Sequence, residues 1–342
     1  MDPLTHALAS YTLKRGAFPR LARPATIAMV VAGTVADIDL LSAHVGPSAY
    51  ITWSRTFCHS LVAAVVFSLL AAVPFSFWRQ EAPAQTTRGR YNFGSRGGVG
   101  VVFVAALAAA VLHLLFDVCQ AQGVELLWPF TRRRFALDWV AHLDLLILGI
   151  LIAALALPKL AGLVSDEIGA KSKGPRGRGA AVAALAAVVL YVCFRAALHS
   201  AAITALDSRT YRGEAPLRVA AFPETNVLLT WSGVVETERA IREVAVPSFS
   251  AGSFDPDSAR TIYKPEPSPA LDAALKTATA RRFIAYARFP RASIEKTPDG
   301  YRVRLQTYAF DPDFRIQAVI EVSSSAEILG ESLSYDFGAR SR

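Results

Sequence analysis

The chain has 342 residues, of which 53% are hydrophobic and 19% are charged. This balance excludes an ordinary soluble protein and indicates a membrane protein. The net charge of +8 does not indicate nucleic-acid binding, because the basic residues are spread between apolar runs and do not cluster on one soluble segment.

Five apolar runs precede residue 205, and four of them reach the roughly 20 residues that a helix needs to cross a bilayer. The first run is weaker because it contains Asp37 and Asp39. The sequence therefore predicts an all-α, multi-pass membrane bundle of about five spans in residues 1–205. A small β-rich extramembrane domain follows in residues 206–342. The predicted spans are residues 24–43, 60–78, 98–118, 140–163 and 180–201.

Basic residues predict the orientation of these spans. They cluster before the first run, between the second and third, and between the fourth and fifth, which makes that side cytoplasmic. The N-terminus is then cytoplasmic and the β-rich domain extracytoplasmic. On the outer side, Arg55 is the one basic residue of the first loop, and Arg132, Arg133 and Arg134 in the second loop are the exception. The cytoplasmic residues are Lys14, Arg15, Arg20, Arg23, Arg79, Arg88, Arg90, Arg96, Lys171, Lys173, Arg176 and Arg178.

Ionisable side chains lie where four of the predicted spans meet the outer side. Such groups cost several kcal/mol within a membrane unless they are paired, hydrated or bound to metal, so they favour a functional interpretation. Because all of them converge on one side, we expect a shared metal ion. They are Asp37, Asp39, His59, His113, Asp117, His142 and Asp144.

The stretch HLLFD places His113 and Asp117 four residues apart. Residues at this spacing project from the same face of a helix, so an imidazole nitrogen and a carboxylate oxygen can coordinate one cation. Together with His59 and the carboxylates of ADIDLL, they form a mixed nitrogen and oxygen set. Such a set fits a divalent transition metal, zinc in the first place and manganese or iron in the second, better than magnesium or calcium.

Simpler explanations exist for each of these residues. Asp37 and Asp39 would be solvated if the first span ended before them. His113 and Asp117 would form a hydrogen-bonded pair between helices without metal. His59 would lie at the interface, and His142 is assigned to structure.

The loop PFTRRRFALDWV mixes aromatic residues with three arginines. At a membrane interface such residues anchor the chain and contact lipid headgroups. A functional alternative has the arginines hold the phosphate of a lipid or another anionic substrate beside the metal.

The C-terminal part alternates in the manner of strands, in runs separated by Pro, Gly and Asp. It contains no histidine, so its predicted roles are to cap the site or to hold a protein partner. One short helix is predicted at ALDAALKTATARR. The predicted strands are LRVAAFP, NVLLTWSGVV, AIREVAVPSF, RRFIAYARFP, GYRVRLQTYAF and RIQAVIEVSS.

Four segments together resemble the bacterial YdjM-like family of membrane-bound, metal-dependent hydrolases, over residues 1 to about 150. They are MDPLTHALASY, ADIDLL, SRTFCHSL and HLLFDVCQAQGVELLWPFTRRRFALDWVAHLDLL. The resemblance implies that the metal-site residues are His6, Asp37, Asp39, His59, His113 and Asp117. It also matches Asp138 and Asp144 to later acidic positions.

The chain departs from the family pattern at three positions. Ala36 stands for a proline, Cys58 for a threonine, and Ser54 for the first histidine of an HRxxTHS segment. The last difference implies a lost ligand, an altered metal count or a degenerate site.

His6 conflicts with the predicted topology, because the N-terminal tail is cytoplasmic and the other candidate ligands face outward. A helix from about Pro3 to Leu13 that dips into the bundle would raise His6 by roughly 15 Å, about half of the membrane core. The alternative is a cytoplasmic amphipathic helix in which His6 has no role.

These observations predict a metal-dependent hydrolase that acts on an amphiphilic or lipid-linked substrate at the outer interface. Asp39, Asp144 and Asp138 are the candidate catalytic carboxylates that accept a proton. The alternative is a non-enzymatic membrane scaffold with a degenerate site, whose β-rich domain binds a partner.

Overall fold

The computed structural model describes residues 1–76, 96–167, 177–225, 227–307 and 315–335. Helices dominate up to residue 207, and two antiparallel sheets follow, which confirms the predicted fold class. The chain separates into two compact units, residues 1–39 with 55–197 and residues 40–54 with 198–342. The basic residues predicted at 79–90 and 171–176 lie outside the described residues.

The first unit is built from helices of very different length. Its long apolar helices carry the predicted spans, and two short 3₁₀ segments, Val35–Leu41 and Phe57–His59, interrupt the chain between them. The helices are α1 (Pro3–Ala17), α2 (Arg23–Ala32), α5 (Leu61–Ser76), α6 (Arg96–Val118), α7 (Leu145–Glu167) and α8 (Arg178–Asp207), with α3 (Ser42–Val45) and α4 (Pro47–Trp53) between α2 and α5.

Three of these helices are long and apolar enough to cross a membrane: residues 98–118, 145–162 and 178–207. Two bent helix pairs, within residues 23–45 and 47–74, raise the number to five if each pair is one span. The breaks, at residues 33–34 and at residue 60, lie next to the 3₁₀ segments that contain the polar residues of ADIDLL and FCH. Irregular backbone at membrane depth is tolerated where protein covers it, and it often marks a binding site.

The first residues of helix α1 determine where the helix begins. The carboxylate of Asp2 accepts a hydrogen bond from the Thr5 amide at 2.9 Å, and Pro3 occupies the first helical position. Lys14 and Arg15 lie in the last turn, where positive charge suits the helix dipole. The helix thus begins only three residues before His6 and fixes the position of that side chain.

Small residues bring α2, α5 and α6 together. Their contact surface is rich in buried alanine, and such residues allow the backbones of membrane helices to approach closely. The packing holds the ends of α2 and α6 side by side, which is where the polar residues lie. The buried alanines are Ala25, Ala28, Ala32, Ala71, Ala72, Ala105, Ala106 and Ala109.

Helix α7 starts later than the predicted fourth span, at Leu145 instead of residue 140. Asp144 ends the preceding loop because its Oδ1 accepts hydrogen bonds from the amides of Leu146 and Ile147, both at 3.1 Å. Its Oδ2 accepts a hydrogen bond from the Tyr191 hydroxyl at 2.8 Å. Asp144 is therefore the N-cap of α7.

The second unit contains two four-stranded antiparallel sheets, each in simple sequential order. Helices α9 (Pro269–Leu275) and α10 (Ala278–Tyr286) lie between them in the chain. The first sheet contains β1 (Arg218–Glu224), β2 (Val227–Glu236), β3 (Ala240–Pro247) and β4 (Arg260–Tyr263). The second contains β5 (Arg291–Thr297), β6 (Gly300–Gln306), β7 (Ile316–Ser323) and β8 (Ile328–Tyr335).

The strand predicted at RRFIAYARFP is wrong, because most of that segment belongs to α10. Thr277 caps the helix by accepting a hydrogen bond from the Ala280 amide at 3.1 Å. Ala280 and Phe283, three residues apart, are the side chains that the helix buries. The local cap and the period-three burial outweigh the strand propensity of the aromatic residues, and the single predicted helix before them is two helices.

Residues 40–54 pack with the second unit although they lie between the first two predicted spans. Tyr50 and Ile51 are buried in the same core as Phe283 and the inner face of β6 and β7. The Tyr335 hydroxyl donates a hydrogen bond to the carbonyl oxygen of Ala43 at 2.8 Å. The loop and the second sheet are thus one folded body.

Candidate metal centre

Four buried side chains from three separate elements meet at one point. His6 comes from α1, Asp37 from the 3₁₀ segment after α2, and His113 and Asp117 from the end of α6. One potential ligand atom from each lies within 4.8 Å of all the others, so the group can hold a metal ion. The structure therefore brings His6 together with three other predicted ligands, Asp37, His113 and Asp117, at one buried point.

The spacing between these atoms suits ligands of a common ion. Nε2 of His6 lies 3.3 Å from Oδ1 of Asp117, and Nε2 of His113 lies 3.3 Å from Oδ2 of Asp117 and 3.8 Å from Oδ1 of Asp37. Ligand atoms about 2.1 Å from one metal ion are separated by about 3.0–3.4 Å in octahedral or tetrahedral geometry. The imidazole rings of His6 and His113 are stacked, with centroids 3.7 Å apart.

The backbone orients the imidazole of His113. Its Nδ1 lies 3.0 Å from the carbonyl oxygen of Gly33, at the end of α2. A carbonyl oxygen only accepts hydrogen bonds, so Nδ1 donates to Gly33 and Nε2 is the ring nitrogen that faces the carboxylates. Metal-ligating histidines commonly use such an outer hydrogen bond to fix the ring.

His59 lies at the edge of the group, held on its other side by Asp39. Its Nε2 is 3.0 Å from Oδ2 of Asp117 and 3.7 Å from Oδ1 of Asp37, whereas its Nδ1 is 2.9 Å from Oδ2 of Asp39. Asp39 also accepts a hydrogen bond from the Arg55 amide at 2.7 Å. Asp39 is thus placed behind His59 and outside the four-residue group.

Several polar atoms of this group are buried without a hydrogen bond, and several of them have only ion-pair contacts with one another. Buried polar atoms without hydrogen bonds are costly, and native proteins leave few of them. A cation bound by one nitrogen of each imidazole and by the carboxylates would reduce that cost. The atoms without a hydrogen bond are both ring nitrogens of His6, Nε2 of His113, Oδ2 of Asp37 and Oδ2 of Asp117.

Sequence reasoning missed Arg55, which was interpreted only as a basic residue in a loop. The residue is 3% exposed and has a positive φ of 56°. Its guanidinium lies 3.4 Å from Oδ2 of Asp117 and donates a hydrogen bond to Oε1 of Gln120 at 3.1 Å. The α-amino group of Met1 also contacts Oδ1 of Asp117. The only signal in the sequence was an arginine close to His59.

The remaining predicted residues lie outside this group. Asp144 caps α7, and Asp138 is buried in the preceding loop at a positive φ of 59°. The carbonyl oxygen of His142 accepts a hydrogen bond from Nε2 of Gln120 at 3.4 Å. In the same loop, burial raises the pKa of Glu125, and the positive charges of Arg134 and Arg132 partly offset this.

The match to known proteins covers the helical part of the chain. The family model described as YdjM inner membrane protein matches residues 1–202. The chain belongs to this family. A search among curated proteins and a search among solved structures each find no match. The YdjM assignment supports an inner-membrane location, and the matched region includes all of the residues that form the His and Asp group.

Proposed function

We propose that the chain is a membrane-embedded, metal-dependent hydrolase that acts on an amphiphilic or lipid-linked substrate at the outer interface. The observation that carries the proposal is the convergence of buried imidazole and carboxylate atoms that make no hydrogen bonds. Ionisable side chains at membrane depth are costly, and their concentration in one place favours a functional centre.

The donor set fits a divalent transition metal, with zinc as the first choice and manganese or iron as alternatives. His6, Asp37, His113 and Asp117 would hold the ion. When bound, a divalent ion supplies Lewis acidity, which activates water and polarises the bond that is cut.

The surrounding residues position these ligands and handle protons. Gly33 orients His113 through its carbonyl oxygen, and Asp39 orients His59. We assign proton acceptance to Asp39, because both ring nitrogens of His59 already face carboxylates and leave that imidazole without a free lone pair. Of the predicted catalytic carboxylates, Asp39 is the one in contact with the centre. Asp144 has its oxygens engaged as a helix cap.

The substrate class follows from the surroundings of the centre. The helices that carry the ligands have apolar outer faces, and exposed side chains such as Val104 and Leu115 on α6 suit contact with lipid. A centre at the end of such helices is accessible to substrates that are themselves anchored in the membrane. The positive charge of Arg55 beside the ligands favours an anionic group such as a phosphate.

Metal analysis of the full-length protein, purified gently without chelator, tests the proposal. The unmodified protein should carry about one equivalent of transition metal. His113→Ala and Asp117→Asn should each reduce this content sharply, because each removes a ligand that its neighbours cannot replace. His142→Ala is the matched control and should retain the metal.

Two outcomes would contradict the metal centre. Retention of metal by both His113→Ala and Asp117→Asn would show that it is bound elsewhere. Equal loss in all three variants would show that unfolding, and not the loss of a ligand, removes the metal.

A non-enzymatic scaffold is the second candidate, and one observation favours it. Arg55 and the α-amino group of Met1 both contact Asp117, so the cluster already contains cations that balance a carboxylate. Ser54 also replaces a histidine of the family pattern, and such a replacement is expected in a degenerate site. Less than about 0.2 equivalents of any transition metal in the unmodified protein would support the scaffold, because a structural site retains its ion through gentle purification.

A further inference from the structure

A second recess lies in the helical unit, between the α1–α2 connection and the first turns of α6 and α8. Its volume is about 610 Å³, within the range of roughly 300–1,000 Å³ that is typical of small-molecule sites. Its lining includes Phe18, Arg20, Leu21, Val101, Val104 and Arg178.

The recess is electropositive. Arg20 and Arg178 line it, and no acidic residue is among its lining residues in the part of the chain that the structure describes. Nε of Arg178 donates a hydrogen bond to the carbonyl oxygen of Gly16 at 3.2 Å, which holds the guanidinium at this place. The positive N-terminal end of α8 lies at the recess, because Arg178 is the first residue of that helix, and Gly100 lies one turn after the start of α6.

The apolar part of the lining continues into the membrane-crossing helices. Val101 and Val104 belong to the candidate span 98–118, and Arg178 begins the candidate span 178–207. The recess therefore lies where spans begin, at the depth of lipid headgroups. Basic pockets between helices at this depth bind the headgroups of anionic lipids.

The recess is distinct from the metal centre. Gly100 and His113 are both on α6, and thirteen residues of helix separate them by about 20 Å. Ligands at the two places would meet opposite ends of the same helix.

We propose that this recess is a binding site for one anionic phospholipid. Arg20 and Arg178 hold the phosphate, and Val101 and Val104 contact the first part of an acyl chain. The occupant is a membrane lipid, because a free anion would make no use of the apolar lining that runs along α6.

Thermal unfolding of the full-length protein in a neutral detergent tests the site. Dioleoylphosphatidylglycerol at about a hundred times its Kd should raise the Tm by about 4 °C, whereas dioleoylphosphatidylcholine and inorganic phosphate should not. The double variant Arg20→Gln/Arg178→Gln should lose this rise. The matched control is Arg281→Gln/Arg282→Gln, which removes two exposed arginines of α10 and should keep it.

A single variant that keeps the contact of Arg178 with Gly16 controls for misfolding. Arg20 is exposed, and Arg20→Gln alone should reduce the rise by at least half in a protein that keeps its unliganded Tm. An equal rise with phosphatidylcholine would overturn the proposal. So would an equal rise with inorganic phosphate, or a rise that survives in the pocket variants and disappears in the control pair.

Discussion

At the scale of single residues, the position of Asp39 separates two roles that the sequence could not distinguish. A ligand would face the ion directly, whereas a positioning carboxylate holds a histidine from behind. The 2.9 Å contact with Nδ1 of His59 and the hydrogen bond from the Arg55 amide place Asp39 behind the imidazole. Asp39 therefore reaches the four-residue group only through His59, whose Nε2 lies 3.0 Å from Oδ2 of Asp117.

We therefore expect Asp39→Asn to weaken metal binding by about 10–100-fold without abolishing it, because only an outer contact loses its charge. Asp117→Asn should empty the site under the same conditions. Competition with a chelator of known affinity measures both.

Asp144→Asn serves as the control for that comparison. It keeps a side chain that can cap α7, because Asn caps a helix about as well as Asp, so stability and metal affinity should both stay nearly unchanged. If Asp39→Asn lost metal as completely as Asp117→Asn, Asp39 would be a direct ligand.

Most of the centre could be predicted residue by residue, because imidazoles and carboxylates inside apolar runs are conspicuous. Arg55 could not, since one arginine in a short loop is indistinguishable in sequence from an interfacial anchor. Its role depends on a contact with Gln120, which is 65 residues away in the chain.

At the scale of helices, the close approach of α1 to the end of α2 positions the centre. A Cβ atom at Gly33 would lie 2.1 Å from Oγ of Ser10 and 3.1 Å from Cβ of Ala109. Only glycine allows α1 to lie this close, and the carbonyl oxygen of the same residue holds His113.

Gly33→Ala should therefore push α1 away and turn His113, with a loss of metal affinity of at least tenfold. A titration of the purified variant with zinc gives the affinity. The double variant Gly33→Ala/Ser10→Gly removes the nearest clash and should recover part of it. A Gly33→Ala protein with unchanged affinity would show that the carbonyl contact does not orient the ring.

The breaks in the first two spans were only partly visible in the sequence. Two aspartates weakened the first span, and the structure has a 3₁₀ segment there. The second break, at Phe57–His59, has no comparable signal, because Cys58 and the flanking residues are compatible with a helix. The contacts of His59 with three carboxylates fix that segment, and these are long-range contacts.

At the scale of the whole molecule, the segment 40–54 shares a hydrophobic core with the second sheet. Hydropathy indicated only a loop between spans, because nothing local links residues 40–54 to strands that follow more than 240 positions later. Tyr50 is 6% exposed and meets Tyr286 edge to face, with ring centroids 6.4 Å apart.

Tyr50→Ala should destabilise the second unit by about 3–5 kcal/mol, the usual cost of removing a buried aromatic side chain. Faster cleavage of residues 208–335 by thermolysin would report the change. Trp53→Ala, on the same helix but 59% exposed, should leave the cleavage rate nearly unchanged. Equal rates in both variants would mean that the loop does not stabilise the sheet.

The shared core also constrains the topology of the membrane part. Residues 40–54 and the β-rich domain must lie on the same side of the membrane, and the positive-inside rule predicts the outer side for both and the cytoplasmic side for the end of α1 at Ala17. In a protein whose native cysteines are replaced by serine, an impermeant maleimide applied to spheroplasts should label Ser48→Cys and Ser208→Cys, both at exposed positions. Ala17→Cys should react only after permeabilisation. The same labelling pattern for Ala17 and Ser48 would show that the helix pair in residues 23–45 returns to the side from which it started, and that the chain has fewer than five spans.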